Sequence, residues 1–454
     1  MSGQFRLHDD GSAGALGHAD PAPLAVVVLD AVPVAEAEFH NGVVRTDPGI
    51  GGAQAEVPTD ATLGVMTDRT AAPEALAERR ARPAMSFDRV PRLVFWETTK
   101  ACPLACVHCR AVAQREPAPD ELTTEEGKAI IDELAGAGRP APVLILTGGD
   151  CLQRSDLAEL TAYAQSSGVP VAISPSVSPS LNAATLSMLH ANGVRTASLS
   201  LDGAVAETHE QVRQIPGHFD ETIRAIGLLK EHGLSVQVNS AVMAQNVREL
   251  ADLAALLVRH EVRTWEVFFL IGVGRGNAIA EIENDEYEDV CHFLVDAAQY
   301  GMTVRTVEAP FFRRVRDWRS NRTEADLDPA VEFGLGPLYQ ELRARFRELM
   351  GEPTSPVLAP TAATRDGKGI VFVAHDGRVY PAGFLPLSLG SVRDKGVLEI
   401  YRDDPVLKAI RNAEFPGRCG RCEYADECGG SRARAYAATG DPLADDPACR
   451  YLPS

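Results

Sequence analysis

The sequence predicts an α/β protein with a partial (β/α)6 TIM-like barrel and a small, cysteine-rich C-terminal domain. Six short runs of β-branched and aromatic residues alternate with helix-like stretches whose apolar residues lie three and four positions apart. A hairpin-like run and four cysteines follow near the C terminus. These features divide the 454 residues into an accessory or poorly ordered extension (1–85), the barrel (86–300), a bridge (301–360) and the C-terminal domain (361–454).

The predicted elements follow from local composition, taken in chain order. The first 85 residues are rich in Ala, Gly, Pro and Asp, with only short apolar runs. The strands are RLVFWE, VLILT, VPVAIS, TASLSLDG, LSVQVNSAV and TWEVFFLI. The helices are TTEEGKAIIDELAGA, SDLAELTAYAQ, SLNAATLSMLHANG, FDETIRAIGLLKEHG and VRELADLAALLVRHE, several of which end at glycine. A Pro- and charge-rich bridge follows, and GIVFVAHDGRVYPAG predicts a β-hairpin that opens the C-terminal domain.

The overall charge and the cysteine content exclude several classes of protein. The chain has 44 basic and 63 acidic residues, and its net charge of -19 argues against a general nucleic-acid or anionic-membrane binder. No apolar stretch approaches the roughly 20 residues that span a bilayer, so we expect a cytoplasmic protein. Seven of the nine cysteines fall into two short-spaced groups, a pattern that indicates metal binding rather than disulfides.

The first cysteine group follows directly after the first predicted strand. Cys102, Cys106 and Cys109 have the spacing Cys-x3-Cys-x2-Cys at the strand end where barrel active sites lie. Three thiolates ligate three irons of a cubane cluster and leave the fourth iron open, as a catalytic site requires. A zinc knuckle completed by His108, or three unrelated thiols, are the alternatives.

This motif in this place resembles the radical S-adenosylmethionine (SAM) superfamily. The resemblance implies that a 4Fe-4S cluster binds SAM through its amino and carboxylate groups and reduces it by one electron. The released 5'-deoxyadenosyl radical abstracts a substrate hydrogen atom, and the protein positions and shields these groups. An external one-electron donor such as flavodoxin or ferredoxin is implied as a partner. His108 departs from the aromatic residue that many members have before the last cysteine.

The resemblance also implies a SAM pocket, assembled from four motifs. Gly148, Gly149 and Asp150 match the family's GGE-like motif, which would contact the SAM amino group. Ser200 and Asp202, at the end of the fourth predicted strand, would contact the SAM ribose. Arg213, in a segment that resembles the family's H-[DE]-x-x-R motif, would pair with a carboxylate. A polar residue on the fifth strand completes the pocket. Each residue has an ordinary structural role as its alternative. The predicted SAM-binding residues are Gly148, Gly149, Asp150, Ser200, Asp202, Arg213 and Asn239.

The two remaining cysteines are expected to have structural roles. Cys151 follows the GGE-like motif, where relatives usually have proline, and a small buried thiol is favoured over a hydrogen donor or iron ligand. Cys291 lies in the helical run YEDVCHFLVDA and is expected in the core.

The second cysteine group has four members, Cys419, Cys422, Cys428 and Cys449, with spacings x2, x5 and x20. Four thiolates close a site completely, so the spacing alone allows an iron-sulfur cluster or structural zinc. The segment resembles the SPASM/Twitch extension that carries auxiliary clusters. Ala382 stands where a full SPASM pattern has a further cysteine, so we expect one auxiliary 4Fe-4S cluster and two clusters in all.

The substrate prediction rests on scattered motifs. CVHCR, SPSVSP, LIGVGRG and CGGSRARA resemble the alternative-haem and haem d1 synthesis enzymes, which implies oxidative side-chain modification of a carboxylated tetrapyrrole. Arg275, Arg432 and Arg434 are candidates to hold carboxylates. The alternative is that Arg275 caps a turn and that the other two lie on a solvated helix face.

Two other functions remain as alternatives. One is maturation of a ribosomally made peptide. The other is a non-catalytic iron-sulfur electron carrier or zinc scaffold, which would not need the SAM-pocket motifs. The sequence identifies no catalytic acid or base.

Overall fold

A computed structural model describes residues 87–321, 327–353 and 364–453. The predicted extension, residues 1–85, lies outside the described residues. Among the helices of the described residues, none has the length and apolar character needed to cross a membrane.

Ten strands form one sheet in the part of the chain that the structure describes, in the order β10-β9-β8-β1-β2-β3-β4-β5-β6-β7. Neighbours from β8 through β1 to β7 are parallel, and β8, β9 and β10 are antiparallel. The strands are β1 Leu93–Glu97, β2 Val143–Thr147, β3 Val171–Ile173, β4 Thr196–Ser200, β5 Ser235–Val242, β6 Thr264–Phe269, β7 Thr303–Val307, β8 Ile370–Val373, β9 Arg378–Tyr380 and β10 Gly390–Ser391.

Helices connect the parallel strands and continue into the C-terminal segment. Within the described ranges they are α1 Thr124–Ala135, α2 Leu157–Ser167, α3 Ala183–Ala191, α4 Ala206–Arg213, α5 His218–Glu231, α6 Leu250–Arg259, α7 Asn284–Ala298, α8 Phe312–Ser320, α9 Pro329–Glu332, α10 Pro337–Met350, α11 Val397–Asp403, α12 Pro405–Arg411, α13 Arg418–Arg421 and α14 Arg432–Thr439.

Local sequence explains where the barrel helices begin and end. Thr123 and Glu126 form a capping box, in which each side chain accepts a hydrogen bond from the other's backbone N–H, and this fixes the start of α1. Helix α2 ends at Gly168, whose φ of 75° suits glycine. Apolar helix faces cover the strands, and the buried indole of Trp265 donates a hydrogen bond to Ser240 Oγ at 3.0 Å. The core therefore lies between the sheet and its surrounding helices.

The predicted fold class is confirmed, because all six predicted barrel strands are present in a largely parallel sheet. The sequence missed β7, which lies within the predicted bridge together with α8, α9 and α10. Its sequence, TVRTV, has only two apolar residues, three positions apart, and is too short to show the alternation that marks a strand.

The predicted C-terminal hairpin is present as β8 and β9. Its first strand pairs in parallel with β1, with Leu93 opposite Ile370. The C-terminal segment therefore extends the barrel sheet and stays close to the barrel mouth.

Candidate active site

A cavity of about 400 Å³ extends through the barrel interior to the carboxyl ends of the strands. This volume is within the range of small-molecule pockets, roughly 300 to 1,000 Å³. Residues from all eight parallel strands line it, including Phe95, Ile145, Ala172, Ser198, Asn239, Phe268, Thr306 and Phe372.

The three cysteines of the first group line this cavity, as the sequence predicts. They lie on the loop after β1, which backbone hydrogen bonds hold in place: Cys102 N donates to Gln114 O at 2.7 Å. Arg275 fixes the same loop, because its N donates to Cys109 O at 3.0 Å and its Nε to Cys106 O at 2.8 Å. These bonds are those expected of the turn-capping role, one of the two roles predicted for Arg275.

Hydrogen-bond donors surround the sulfur atoms of this loop. Leu104 N donates to Cys102 Sγ at 3.4 Å, and Arg213 Nη1 donates to Cys106 Sγ at 3.5 Å. Burial raises the pKa of Cys102, so metal coordination is what would hold this sulfur as a thiolate. Donors aimed at sulfur stabilise its negative charge, so the loop fits a cluster held by three thiolates.

The glycines of the GGE-like motif let the β2 loop pack directly on the cysteine loop. A Cβ on Gly148, whose φ is 149°, would lie 2.6 Å from Thr99 O, and one on Gly149 would lie 2.4 Å from Ala101 O. Gly149 N donates to Thr99 O at 2.7 Å. Both glycines line the cavity, where their backbone is available to a ligand.

Asp150 is fully buried, and its carboxylate bonds to the protein instead of facing the cavity. Oδ1 accepts from Leu152 N and Ser176 N, each at 3.2 Å, and Oδ2 accepts from Gln153 Nε2 at 3.1 Å and Ser178 Oγ at 3.0 Å. Burial raises the pKa of Asp150. In this structure the Asp150 carboxylate joins the β2 and β3 loops, and its direct contact with SAM stays a prediction.

Asp202 and Arg213 come together as a buried ion pair on the cavity wall. His108 Nε2 lies 3.1 Å from the same Asp202 oxygen, Oδ2. Burial alone would raise the pKa of Asp202, but Arg213 and His108 hold it far below its ordinary value. The site therefore contains a fixed carboxylate beside a guanidinium that also contacts a cluster cysteine.

His209 of the H-E-x-x-R motif supports this pair from behind. Its Nδ1 accepts from Asp202 N at 3.1 Å, and its Nε2 lies 2.8 Å from His218 Nδ1. His218 Nε2 donates to Val177 O at 3.1 Å, so both imidazoles are bonded as neutral tautomers. Burial, followed by the charge of Arg213, lowers the pKa of His209 to about 3.

Ser200 and Asn239 begin a row of polar side chains across the cavity wall. Ser200 lies opposite Asn239, Asn239 opposite Glu266, and Glu266 opposite Arg305, on four consecutive strands. Gln237 Nε2 donates to Asn239 Oδ1 and to Glu266 Oε2, both at 2.8 Å. Gln237, Glu266 and Arg305 are not among the residues predicted from the sequence. The signal that could have identified them is the period of two along a strand, which places every second side chain on the cavity face.

Cys419 of the second group lies in α13, and Cys422, Cys428 and Cys449 lie in the loops around α13 and α14. Gly430 N donates to Cys428 Sγ at 3.5 Å, and Tyr424 N donates to Cys422 Sγ at 3.4 Å. Burial raises the pKa of Cys428 to about 11 and that of Cys449 to about 12. Gly430 and Ser431, just after Cys428, line the cavity, so this loop reaches the site.

Arg432 and Arg434 lie neither on a solvated helix face nor free in the cavity. Arg432 is fully buried and donates to Ala444 O at 2.7 Å and to Cys419 Sγ at 3.9 Å. Arg434 is 5% exposed and donates to Glu308 O at 2.6 Å. The solvated helix face is therefore wrong for both residues: Arg432 bonds to the loops of the second cysteine group, Arg434 bonds to the segment after β7, and neither is among the residues that line the cavity.

Cys151 and Cys291 are both fully buried in the main apolar core. Burial raises the pKa of each thiol well above its ordinary value. These positions agree with the structural roles predicted for them.

Comparison with known proteins places the chain in a family. The Radical SAM superfamily model matches residues 96–257. An AdoMet-dependent heme synthase from Nitratidesulfovibrio vulgaris is 34% identical over 366 residues, which cover 80% of this chain and 93% of that protein. The mycofactocin maturase MftC from Mycobacterium tuberculosis is 28% identical over 368 residues, which cover 79% and 83%.

Solved structures agree on the fold. Streptococcus suis SuiB bound to S-adenosylmethionine has a TM-score of 0.57 and 14% identity, covering 84% of this chain and 81% of that chain. The cysteine loop after β1 and the neighbouring loops with Gly148, Gly149 and Asp202 agree with these similarities, since all of them indicate the same family. The chain belongs to the radical SAM superfamily, whose enzymes use a 4Fe-4S cluster and SAM, and within it to the branch of the AdoMet-dependent heme synthases.

Proposed function

We propose that this radical SAM enzyme oxidatively modifies a side chain of a carboxylated tetrapyrrole, assisted by a second 4Fe-4S cluster. The observation that carries the proposal is the charge of the cavity in a chain of net charge -19. Among the described residues, seven arginines line the cavity: Arg92, Arg110, Arg213, Arg275, Arg305, Arg313 and Arg365. Four acidic residues line it: Asp202, Glu266, Glu308 and Asp366.

Arg213 and Arg110 pair with the carboxylates of Asp202 and Glu97, whereas other arginines of the cavity bond to backbone carbonyl groups. Arg275 Nε donates to Cys106 O at 2.8 Å, and Arg365 Nη2 donates to Ile410 O at 3.0 Å. A backbone carbonyl carries no net charge, so such a bond orients the guanidinium without neutralising it. Guanidinium groups match carboxylates in geometry, which favours an anionic substrate with several carboxylates.

Within this proposal, Cys102, Cys106 and Cys109 hold the SAM-binding cluster. The SAM-binding residues are Gly148, Gly149, Ser200, Asp202, Arg213 and Asn239, with Asp150 as the holder of the glycine loop. When bound, SAM and the reduced cluster supply a 5'-deoxyadenosyl radical that removes a substrate hydrogen atom. An external flavodoxin or ferredoxin would supply the electron. The chain itself binds and orients the reactants inside the barrel.

We assign the second cluster to Cys419, Cys422, Cys428 and Cys449. The resemblance of this segment to the SPASM/Twitch extension, which carries auxiliary clusters, supports a cubane cluster over structural zinc.

Iron analysis tests the two-cluster assignment. Anaerobically reconstituted protein should contain about eight irons per chain, the sum of two 4Fe-4S clusters. The triple variant Cys102→Ala, Cys106→Ala, Cys109→Ala should keep about half of that iron and lose SAM cleavage. Cys291→Ala is the matched control and should keep all of it. Zinc in place of the remaining iron would contradict the assignment.

The substrate is tested by titration of the anaerobic enzyme with coproporphyrin III, a porphyrin tetracarboxylate. Binding should shift the Soret band, and the bound porphyrin should stimulate release of 5'-deoxyadenosine after dithionite reduction. Similarity to a maturase favours a second candidate, the maturation of a ribosomally made peptide. A peptide that stimulates release, with no Soret shift from the porphyrin, would select that candidate.

A further inference from the structure

Glu308 is the first residue after β7, at the carboxyl end of the strand, where barrel enzymes place catalytic groups. Its φ of 62° lies in the left-handed region, which a non-glycine side chain rarely adopts. Arg434 Nη1 donates to Glu308 O at 2.6 Å and so holds the backbone in that conformation. Strained residues of this kind concentrate at ligand-binding and catalytic sites.

The Glu308 side chain lines the cavity, although the residue is only 5% exposed. Its Oε2 lies 2.5 Å from Ser431 Oγ. Its Oε1 is buried and accepts no hydrogen bond from a nitrogen or hydroxyl donor among the described residues, and a side-chain hydrogen bond joins the carboxyl groups of Glu308 and Asp366. A buried carboxyl oxygen without a donor is costly, so this atom is a candidate to meet a ligand.

A second buried acid, Asp366, lies next to Glu308 on the cavity wall. Asp366 is 8% exposed, lines the cavity and accepts from Ala433 N at 3.2 Å through Oδ2. Burial raises the pKa of both carboxyl groups, and the Asp366 charge adds to the effect on Glu308. Arg434 acts on Glu308 and Arg432 on Asp366 in the opposite direction, without reversing either shift.

Two adjacent carboxyl groups in a buried site cannot both ionise at low cost, so such pairs hold one proton between them. That proton gives an otherwise anionic pair a hydrogen-bond donor. A neutral donor can approach a substrate carboxylate that an ionised glutamate would repel.

We propose that Glu308 and Asp366 share one proton in the substrate-free enzyme and that Glu308 is a specificity-determining residue, which carries this proton on Oε1 and donates it in a hydrogen bond to a carboxylate of the bound substrate while Asp366 stays ionised. The substrate part of this inference rests on the proposed function. The two residues come from the β7 end and from the loop before β8, and they meet beside Ser431 of the second cysteine loop. The pair therefore lies where the barrel and the second cysteine group reach the same cavity.

Two measurements test the pair, and the first needs no substrate. Infrared difference spectra of the holoenzyme at neutral pH should show a carboxylic-acid C=O band that disappears in Glu308→Gln. Equal iron content and equal circular dichroism serve as the folding control. Absence of a Glu308-dependent acid band would overturn the shared proton.

The second measurement is a Soret titration with coproporphyrin III across a range of pH. Glu308→Ala should weaken binding about tenfold or more, because hydrogen bonds to charged groups are typically worth at least that factor. Glu308→Gln keeps a neutral donor and should restore binding. As the pH rises, its affinity for the porphyrin should fall less than that of the wild type. Equal affinity in Glu308→Ala and the wild type would overturn the substrate contact. If the wild type binds no porphyrin, the proposed substrate is wrong, while a Glu308-dependent acid band would still support the pair.

Discussion

Arg213 Nη1 lies 3.5 Å from Cys106 Sγ, so a predicted SAM-pocket residue directly contacts a cysteine of the first cluster loop. The other terminal nitrogen of the same guanidinium pairs with Asp202. This one side chain therefore connects the α4 motif, the end of β4 and the cysteine loop. Changes at Arg213 should affect the ligand pocket and the cluster environment together.

Arg213→Ala should weaken SAM binding about tenfold or more, because it removes a charge-assisted donor worth roughly 1.5 to 3 kcal/mol. It also leaves Asp202 buried without its cation, so the melting temperature should fall. Arg213→Lys keeps the charge and should lower the melting temperature less. Calorimetry under argon measures the affinity.

Arg224→Ala, at an exposed arginine of α5, is the control for that experiment and should change neither affinity nor melting temperature. Iron content should stay constant in all three variants. An unchanged SAM affinity in Arg213→Ala would place the SAM carboxylate elsewhere in the cavity.

Asp150→Ala should also weaken SAM binding with unchanged iron, through displacement of the glycine loop. The carboxylate accepts hydrogen bonds from both the β2 and β3 loops, and its loss frees Gly148 and Gly149 to move. The KM for SAM should rise more than kcat falls, because the residue positions the pocket without touching the reacting atoms. Glu159→Ala, at an exposed side chain of α2, is the control, and an unchanged KM would contradict the positioning role.

The cysteine groups and the strand-end glycines could be identified from the sequence, because each is recognised by the spacing of residues within one short segment. The position of the Asp150 carboxylate could not, because its four donors come partly from the β3 loop. Burial of Arg432 and Arg434 depends on how the C-terminal loops close around them. Glu308 escaped notice because it follows a short strand in a charge-rich segment, and its partner Asp366 is distant in sequence.

Arg275→Ala distinguishes a loop-fastening role from a substrate-binding role. Arg275 donates to Cys106 O at 2.8 Å and to Ala113 O at 3.2 Å, so its loss should loosen the cysteine loop. We expect less iron in the first cluster and slower SAM cleavage, with the second cluster intact. Electron paramagnetic resonance of the reduced protein measures the two clusters separately. Full iron with a weakened Soret shift would instead assign Arg275 to the substrate.

His209 should make stability depend on pH in the acidic range. Its pKa is about 3 in the folded protein and has its ordinary value, about 6.5, in the unfolded chain. Between these values the unfolded chain binds more protons, so this contribution is fully present above about pH 6.5 and is lost as pH falls toward 3. Thermal unfolding under argon at about pH 7.5 and pH 5.5 should show a clear fall in melting temperature.

His209→Gln removes this titration, so its melting temperature should fall less between the same two pH values, whatever its absolute stability. Part of the wild-type dependence should persist, because burial also lowers the pKa of His218. Gln211→Ala, at an exposed side chain of α4 that carries no titrating group, is the control and should keep the wild-type dependence. An identical fall in wild type and His209→Gln would mean that His209 is not held neutral behind Asp202.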